Sequence, residues 1–343
     1  MRPFLSRSGT AYDLGTISSD LDGGIPAGIN DRSQIVINAN GSVYLLTPVL
    51  PAAAGVSPAS GSASSLTMVF TFSDPRGWQD LGVVNILINN FLDGRQSCYL
   101  ACSQPLNKLY LVNDAGNGLL PALPINGFGS VGNSQCTISA QGSSVSGSGN
   151  TLTLMLNLSF STAFEGNHVV YLAAGDLAGN NSGWQPQGTW SVPMASRAGP
   201  AVGGVSPSYG SGLTQMFTFT FTDTEGWPDL GVVDILINNS LDGRQACYLA
   251  YSRAVNALYL VNDAGTALLP GLVMTAPGTL SNSQCTVSAG ASAVGMNGST
   301  LTLTVGLTFP PVLSGNQVIY LAARDSTGVV TSGWQAMGTW SVQ

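Results

Sequence analysis

FTFSDPRGWQDLGVVNILINNFLDGRQSCYLACSQPLNKLYLVNDAG, residues 70–116, returns at 219–265 as FTFTDTEGWPDLGVVDILINNSLDGRQACYLAYSRAVNALYLVNDAG. With a shift of 149, 35 of these 47 positions are identical. The match continues more loosely to the end of the chain, where NHVVYLAAGD and SGWQPQGTWSVP are answered by NQVIYLAARD and SGWQAMGTWSVQ. Two units of about 145 residues therefore follow about 50 unrelated ones, each of ordinary single-domain size. The period is far longer than the roughly 20–50 residues of a solenoid. We expect beads on a string: residues 51–193 and 198–343, joined by the small-residue linker VPMASRAGPAVGG at 192–204.

Periodicity sets the fold class. In the first copy LTMVFTF (66–72), VVNILIN (83–89), SCYLACS (97–103), KLYLV (108–112), CTISA (136–140), TLTLMLNLSF (151–160), HVVYLAA (168–174) and GTWSV (188–192) are β-branched and aromatic. They are bounded by Gly, Asn, Asp, Ser or Pro, as strands are. No stretch keeps an apolar period of 3.6 with helix caps. So many short strands without helices imply an all-β chain of two tandem antiparallel sandwiches.

The strand-to-turn ending YLAAGDLAGN…SGW resembles the penultimate-strand motif of the immunoglobulin-like modules strung along bacterial surface and secreted proteins. The second copy keeps YLAARDSTG but has Val329 where Asn180 stands. As a whole the unit is similar to repeats of large extracellular proteins of the acidobacterial type. That resemblance implies an architecture and no activity. Residues 1–50 resemble the short extracellular repeat named for a His-Ala-Phe start. Phe4, Asp13-Leu14-Gly15-Thr16, Gly28-Ile29-Asn30-Asp31 and Gln34-Ile35-Val36 fit it, while Arg2 and Pro3 replace the His-Ala. One such β repeat buries little core, so it is either part of a truncated array or a cap on the first sandwich.

Charged residues make up 8% of the chain, and Lys108 is its only lysine. Ordinary domains carry about 25% charge, so Gly, Ser, Thr and Asn supply the solubility here. A net charge of −7 with one histidine argues against nucleic-acid binding, which needs a basic face. No apolar run reaches the length of a membrane span. The opening MRPFLSRSGTAYDLG lacks the apolar core of a secretory signal, and the chain reads as a piece of a longer protein.

Cys98 and Cys136 lie 38 residues apart, as do Cys247 and Cys285, while Cys102 faces Tyr251 and has no counterpart. One disulfide per copy with Cys102 left over fits this arithmetic and points to an oxidising, extracellular or cell-surface location. Buried thiols are the alternative. Metal ligation by cysteine is disfavoured, because neither a CxxC pair nor a histidine cluster is present.

No nucleophile constellation is found: there is no G-x-S-x-G, H-E-x-x-H or P-loop. His168 is replaced by Gln317 in the second copy, so no enzyme is expected. Each copy repeats an acidic set, Asp74, Asp80, Asp93, Asp114 and Asp176 against Asp223, Asp229, Asp242, Asp263 and Asp325. Two loops at one end of a sandwich would bring Asp74, Asp80 and Asp176 together, and likewise Asp223, Asp229 and Asp325, as hard oxygen ligands for Ca²⁺. Turn formation explains the same residues without an ion. Trp78 and Trp227 in the loops, and Trp184 and Trp334 before the last strands, are candidate sugar-stacking residues; buried plugs are the competing reading, and it is preferred for Trp190 and Trp340. Two functions follow. One is a non-catalytic structural or adhesive module, a disulfide-stapled spacer in a surface protein, stalk or fibre, partnered by other modules or by itself. The other is a tandem carbohydrate-binding pair.

Overall fold

The computed structural model describes residues 3–7, 10–29, 34–47, 49–125, 127–193, 198–275 and 277–343. Arg2, Asn30 and Asp31 of the N-terminal resemblance lie outside them. The chain divides into two compact units, Met1–Leu50 and Pro51–Gln343. In the first, β1 (Phe4–Arg7) and β2 (Thr10–Asp13) form a hairpin, and β3 (Ile25–Ile29), β4 (Ile35–Ala39) and β5 (Ser42–Leu46) form an antiparallel sheet. Its core is small: Leu14, Leu21, Ile35, Ile37 and Ala39.

The second unit contains both repeats. The first repeat runs through β6 (Ala52–Ser57), β7 (Ser60–Ser62), β8 (Ser65–Ser73), β9 (Leu81–Asn89), β10 (Cys98–Ser103) and β11 (Lys108–Leu111). It continues with β12 (Leu123–Pro124), β13 (Ser130–Gly132), β14 (Cys136–Ser148), β15 (Thr151–Phe160), β16 (Gly166–Asp176) and β17 (Gln185–Val192). One sheet has the order β6-β8-β15-β14-β13 and the other β7-β17-β16-β9-β10-β11-β12. The opening strand crosses between sheets: β6 pairs antiparallel with β8, whereas β7 runs parallel to β17. Within these sheets β6-β8-β15-β14 and β17-β16-β9 follow the strand orders of an immunoglobulin-like sandwich, with further strands added at the edges.

The second repeat copies it with β18 (Pro200–Ser206), β19 (Tyr209–Ser211), β20 (Thr214–Asp223), β21 (Leu230–Asn238), β22 (Cys247–Ser252) and β23 (Ala257–Leu260). Its remaining strands are β24 (Leu272–Val273), β25 (Thr279–Ser281), β26 (Thr286–Asn297), β27 (Thr300–Thr308), β28 (Gly315–Asp325) and β29 (Gln335–Val342). The short strands β6, β7, β12 and β13, absent from the sequence reading, carry segments such as AAAGVS and SGS with no apolar alternation to betray them.

Alternation builds each core. Along β15, Leu152, Leu154, Leu156 and Leu158 point inward and meet Met68, Phe70 and Phe72 of β8, while Thr, Asn and Ser face out. The disulfides close between Cys98 and Cys136 and between Cys247 and Cys285, with Cα atoms 5.6 and 5.4 Å apart. They tie β10 to the start of β14, and residue 285 to β22, so each staple spans the two sheets.

Strand β16 departs from alternation, because almost every residue of it is buried. Val170, Leu172 and Ala174 enter the first core. Val169 and Tyr171, on the opposite face, join Leu87 in a separate cluster with Leu236, Val318 and Tyr320. The repeats thus pack sheet against sheet, using the same patch on each. Polar contacts across the seam are also reciprocal: Asn167 donates to Gln335 at 3.2 Å, and Asn316 donates to Gln185 at 3.5 Å. Ser60 and Ser208 hydroxyls meet at 2.9 Å. Where beads on a string were expected, the two sandwiches are pressed together, because the outer face of β16 is apolar and Leu87 of β9 adds to it.

Candidate functional site

The loop between β8 and β9 brings three carboxylates to one end of the first sandwich. Asp74 is fixed by its backbone N–H on the Asn150 carbonyl (2.9 Å), and its Oδ1 accepts the Arg76 N–H (2.8 Å) in an Asp-initiated turn. Gly77 then adopts φ +110°, open to glycine and rarely to other residues, and a 3-10 turn at Trp78–Asp80 delivers Asp80. Asp176 ends β16, and its two oxygens accept the backbone and side-chain N–H groups of Asn180, each at 2.7 Å. Leu177 donates to the Asp80 carbonyl at 2.8 Å, which joins the two loops. One carboxylate oxygen from each of Asp74, Asp80 and Asp176 lies within 4.8 Å of the others.

A cation from the chain itself already serves this cluster. Arg76 Nε lies 2.6 Å from Asp80 Oδ2 and 3.7 Å from Asp74 Oδ1, and its Nη2 donates to Asp176 Oδ2. Burial works against the Asp176 charge, but the Asn180 hydrogen bonds and the Arg76 guanidinium together hold its pKa below the ordinary value. Sequence reasoning passed over Arg76. Its signal was there: an arginine amid Asp residues in a chain poor in basic groups, aligned with Glu225 in the other copy.

The remaining acids have local duties. Asp93 forms an ion pair with Arg95 at 2.6 Å, and the hydrogen bonds from Arg95 lower its pKa to about 2. Asp242 and Arg244 repeat the arrangement. Asp114 accepts the backbone N–H and hydroxyl of Ser134, two residues before the disulfide, and Asp263 does the same for Ser283.

The tryptophans turn inward to different degrees. Trp190 and Trp340 are buried, each indole N–H donating to a backbone carbonyl (Ala63 at 3.0 Å, Gly212 at 2.9 Å). Trp78 and Trp227 are half-buried and packed on the two cores. Trp78 lies flat on Gly147, where an added Cβ would fall 2.1 Å from its Cδ2. Trp184 and Trp334 flank the seam, edge-on to Tyr99 and Tyr248 with centroids 5.6 Å apart in each pair. An open groove of about 420 Å³ along the seam is lined by Phe91, Leu92, Trp184, Asn239, Leu241 and Asn316.

Cys102 and His168 are both buried away from solvent. Cys102 is a buried thiol that desolvation pushes up to about 12, so the reactive thiolate is suppressed. His168 is buried in the strand next to the seam, and desolvation lowers its pKa to about 4.

Fold and site together define an all-β protein of two immunoglobulin-like sandwiches, each stapled by one disulfide. Among solved structures it is similar to a marsupial T cell receptor, at 12% identity and TM-score 0.24, over 86% of this chain and 72% of that one. No family model matches the sequence, and no curated protein is similar to it. Among the described residues, no helix is long and apolar enough to cross a membrane.

Proposed function

We propose that this chain is a non-catalytic extracellular module whose work is mechanical: a rigid, disulfide-stapled spacer that sets the distance between other parts of a surface or secreted protein. The observation that carries this reading is the seam. Leu87, Val169 and Tyr171 of one sandwich and Leu236, Val318 and Tyr320 of the other remove the freedom two linked domains normally retain. Disulfides in both halves suit an oxidising compartment. The half-burial of Trp78 and Trp227 supports the same reading, since a ring packed on its own core offers little face to a sugar.

Carbohydrate binding is the second reading, and the groove beside Trp184 favours it, because an aromatic ring there neighbours the amides of Asn239 and Asn316. A glycan array on the oxidised full chain separates the two. The spacer reading expects no glycan signal and single particles of uniform outline by electron microscopy. A signal lost on Trp184→Ala replaces it with the sugar-binding reading.

A further inference from the structure

We infer that each sandwich is built to bear tension along the chain, through a shear clamp between an opening strand and the closing strand that one tryptophan rivets shut. The inference rests on the spacer reading and adds the load such a spacer withstands.

The direction of two strands carries it. β7 lies near the start of the first sandwich and β17 at its end, yet they run parallel, pairing Ser60 with Thr189, Gly61 with Trp190 and Ser62 with Ser191. Tension between the chain ends draws β7 back from its N-terminal end and β17 forward from its C-terminal end. In a parallel pair these pulls oppose each other along the strands, so the evenly spaced bonds of the ladder share the load and give way together. β6, which stands before β7 on this path, pairs antiparallel with β8; once it lets go, the load falls on β7. In the second sandwich β19 runs parallel to β29 in the same way, Tyr209 with Thr339, Gly210 with Trp340 and Ser211 with Ser341.

Packing does not explain β7. None of its three residues is buried, and the three of β19 are exposed, so these strands contribute backbone bonds and little else. The bonds are reinforced at both ends. Thr189 N–H donates to the Ala59 carbonyl at 2.9 Å and Ala63 N–H to the Ser191 carbonyl at 3.1 Å. The buried indole of Trp190 then donates to the Ala63 carbonyl at 3.0 Å, just past β7. Its ring lies against Gly61, where an added Cβ would fall 2.6 Å from it; the ring covers the ladder and keeps water from competing for those bonds. The second sandwich repeats each contact at 2.9 Å: Thr339 N–H to Ser208, Gly212 N–H to Ser341, and the Trp340 indole to Gly212. Gly210 again makes room for the ring.

The test is single-molecule pulling of the oxidised full chain, since forced unfolding reads the unfolding barrier. Held at its two ends, the chain should give two large events of high force, one per sandwich. Reduction identifies them, because freeing the 38 residues behind each disulfide should lengthen each event by roughly 130 Å. Moving the N-terminal handle to Asn150, exposed in the turn between β14 and β15, takes β7 off the loaded path. The first sandwich should then yield at less than half its former force, while the second keeps its own. Trp190→Phe, which retains a ring and removes the indole bond, should lower one of the two end-to-end forces and leave the other; the moved handle needs no core substitution and serves if that variant does not fold. A first sandwich that yields at the same force from both attachment points, or a folded Trp190→Phe chain with both forces unchanged, overturns the clamp. The spacer reading stands or falls separately, on the glycan array and the particle outlines.

Discussion

His168 stacks on Phe164 with ring centroids 3.8 Å apart and planes 4° from parallel, while its Nε2 lies 3.0 Å from the Phe164 carbonyl. The ring is buried, its Nδ1 has no partner, and desolvation holds its pKa at about 4 against an ordinary 6.5. The unfolded chain therefore binds a proton below about pH 6.5 that the folded chain refuses until about pH 4. Stability from this residue is complete above the higher value and is lost as the pH falls through the window, by something on the order of 3 kcal/mol. Gln317, the matching residue, places its Nε2 2.9 Å from the Leu313 carbonyl with no titratable group. His168→Gln should fold and flatten the pH dependence of denaturant midpoints between pH 6.5 and 4. An unchanged slope would show that carboxylates alone account for it.

The seam makes the halves interdependent. Tyr171 and Tyr320 are almost fully buried there, and truncating either to Ala should cost about 3 kcal/mol, as for other large aromatics. A double-mutant cycle should show coupling above about 0.5 kcal/mol. We further propose that residues 198–343 fold alone when oxidised but expose Leu236, Val318 and Tyr320, and so pair with a second copy in solution. Sedimentation of that fragment reads the outcome; an unfolded fragment means the halves form one folding unit.

Reduction probes the staples. Each closes 38 residues of chain, which corresponds to roughly 3–4 kcal/mol in the loop-entropy account. Cys98→Ala with Cys136→Ala should lower stability by about that amount. Native protein should leave Cys102 unalkylated at neutral pH, since its thiol is both buried and pushed up to about 12. Mass spectrometry of a non-reduced digest checks pairing and labelling together; rapid native labelling at Cys102 would contradict its burial.

Gly147→Val should force Trp78 off the strand that supports it, since the new Cβ would fall 2.1 Å from the indole. A red shift in tryptophan emission and a lower melting temperature are expected. An unchanged spectrum would mean the loop adapts without exposing the ring.

Much of the fold was legible in the sequence because strands announce themselves by burial. TLTLMLNLSF alternates, and β15 spans those ten residues. The short strand β7 could not be read, since SGS pairs through backbone alone. The seam was legible and missed. HVVYLAA is apolar on both faces, a sign of a strand covered on both sides, whereas a free sandwich would show alternation there. The convergence of Asp74, Asp80 and Asp176 followed from loop placement, but the partner at their centre did not: Arg76 belongs to the same loop, and only its geometry distinguishes an internal counter-ion from a solvated side chain.

The reciprocal bonds Asn167 to Gln335 and Asn316 to Gln185 carry a consequence for how such repeats can be counted. A contact made by the same patch on both partners is isologous, and it closes on itself. Once the two sheets have met, neither has a second such face to offer. A third repeat added in tandem would find no partner within the chain and would show its apolar sheet to solvent until another chain supplied the match. Longer arrays of this unit should therefore grow by twos, and an odd-numbered array should dimerise.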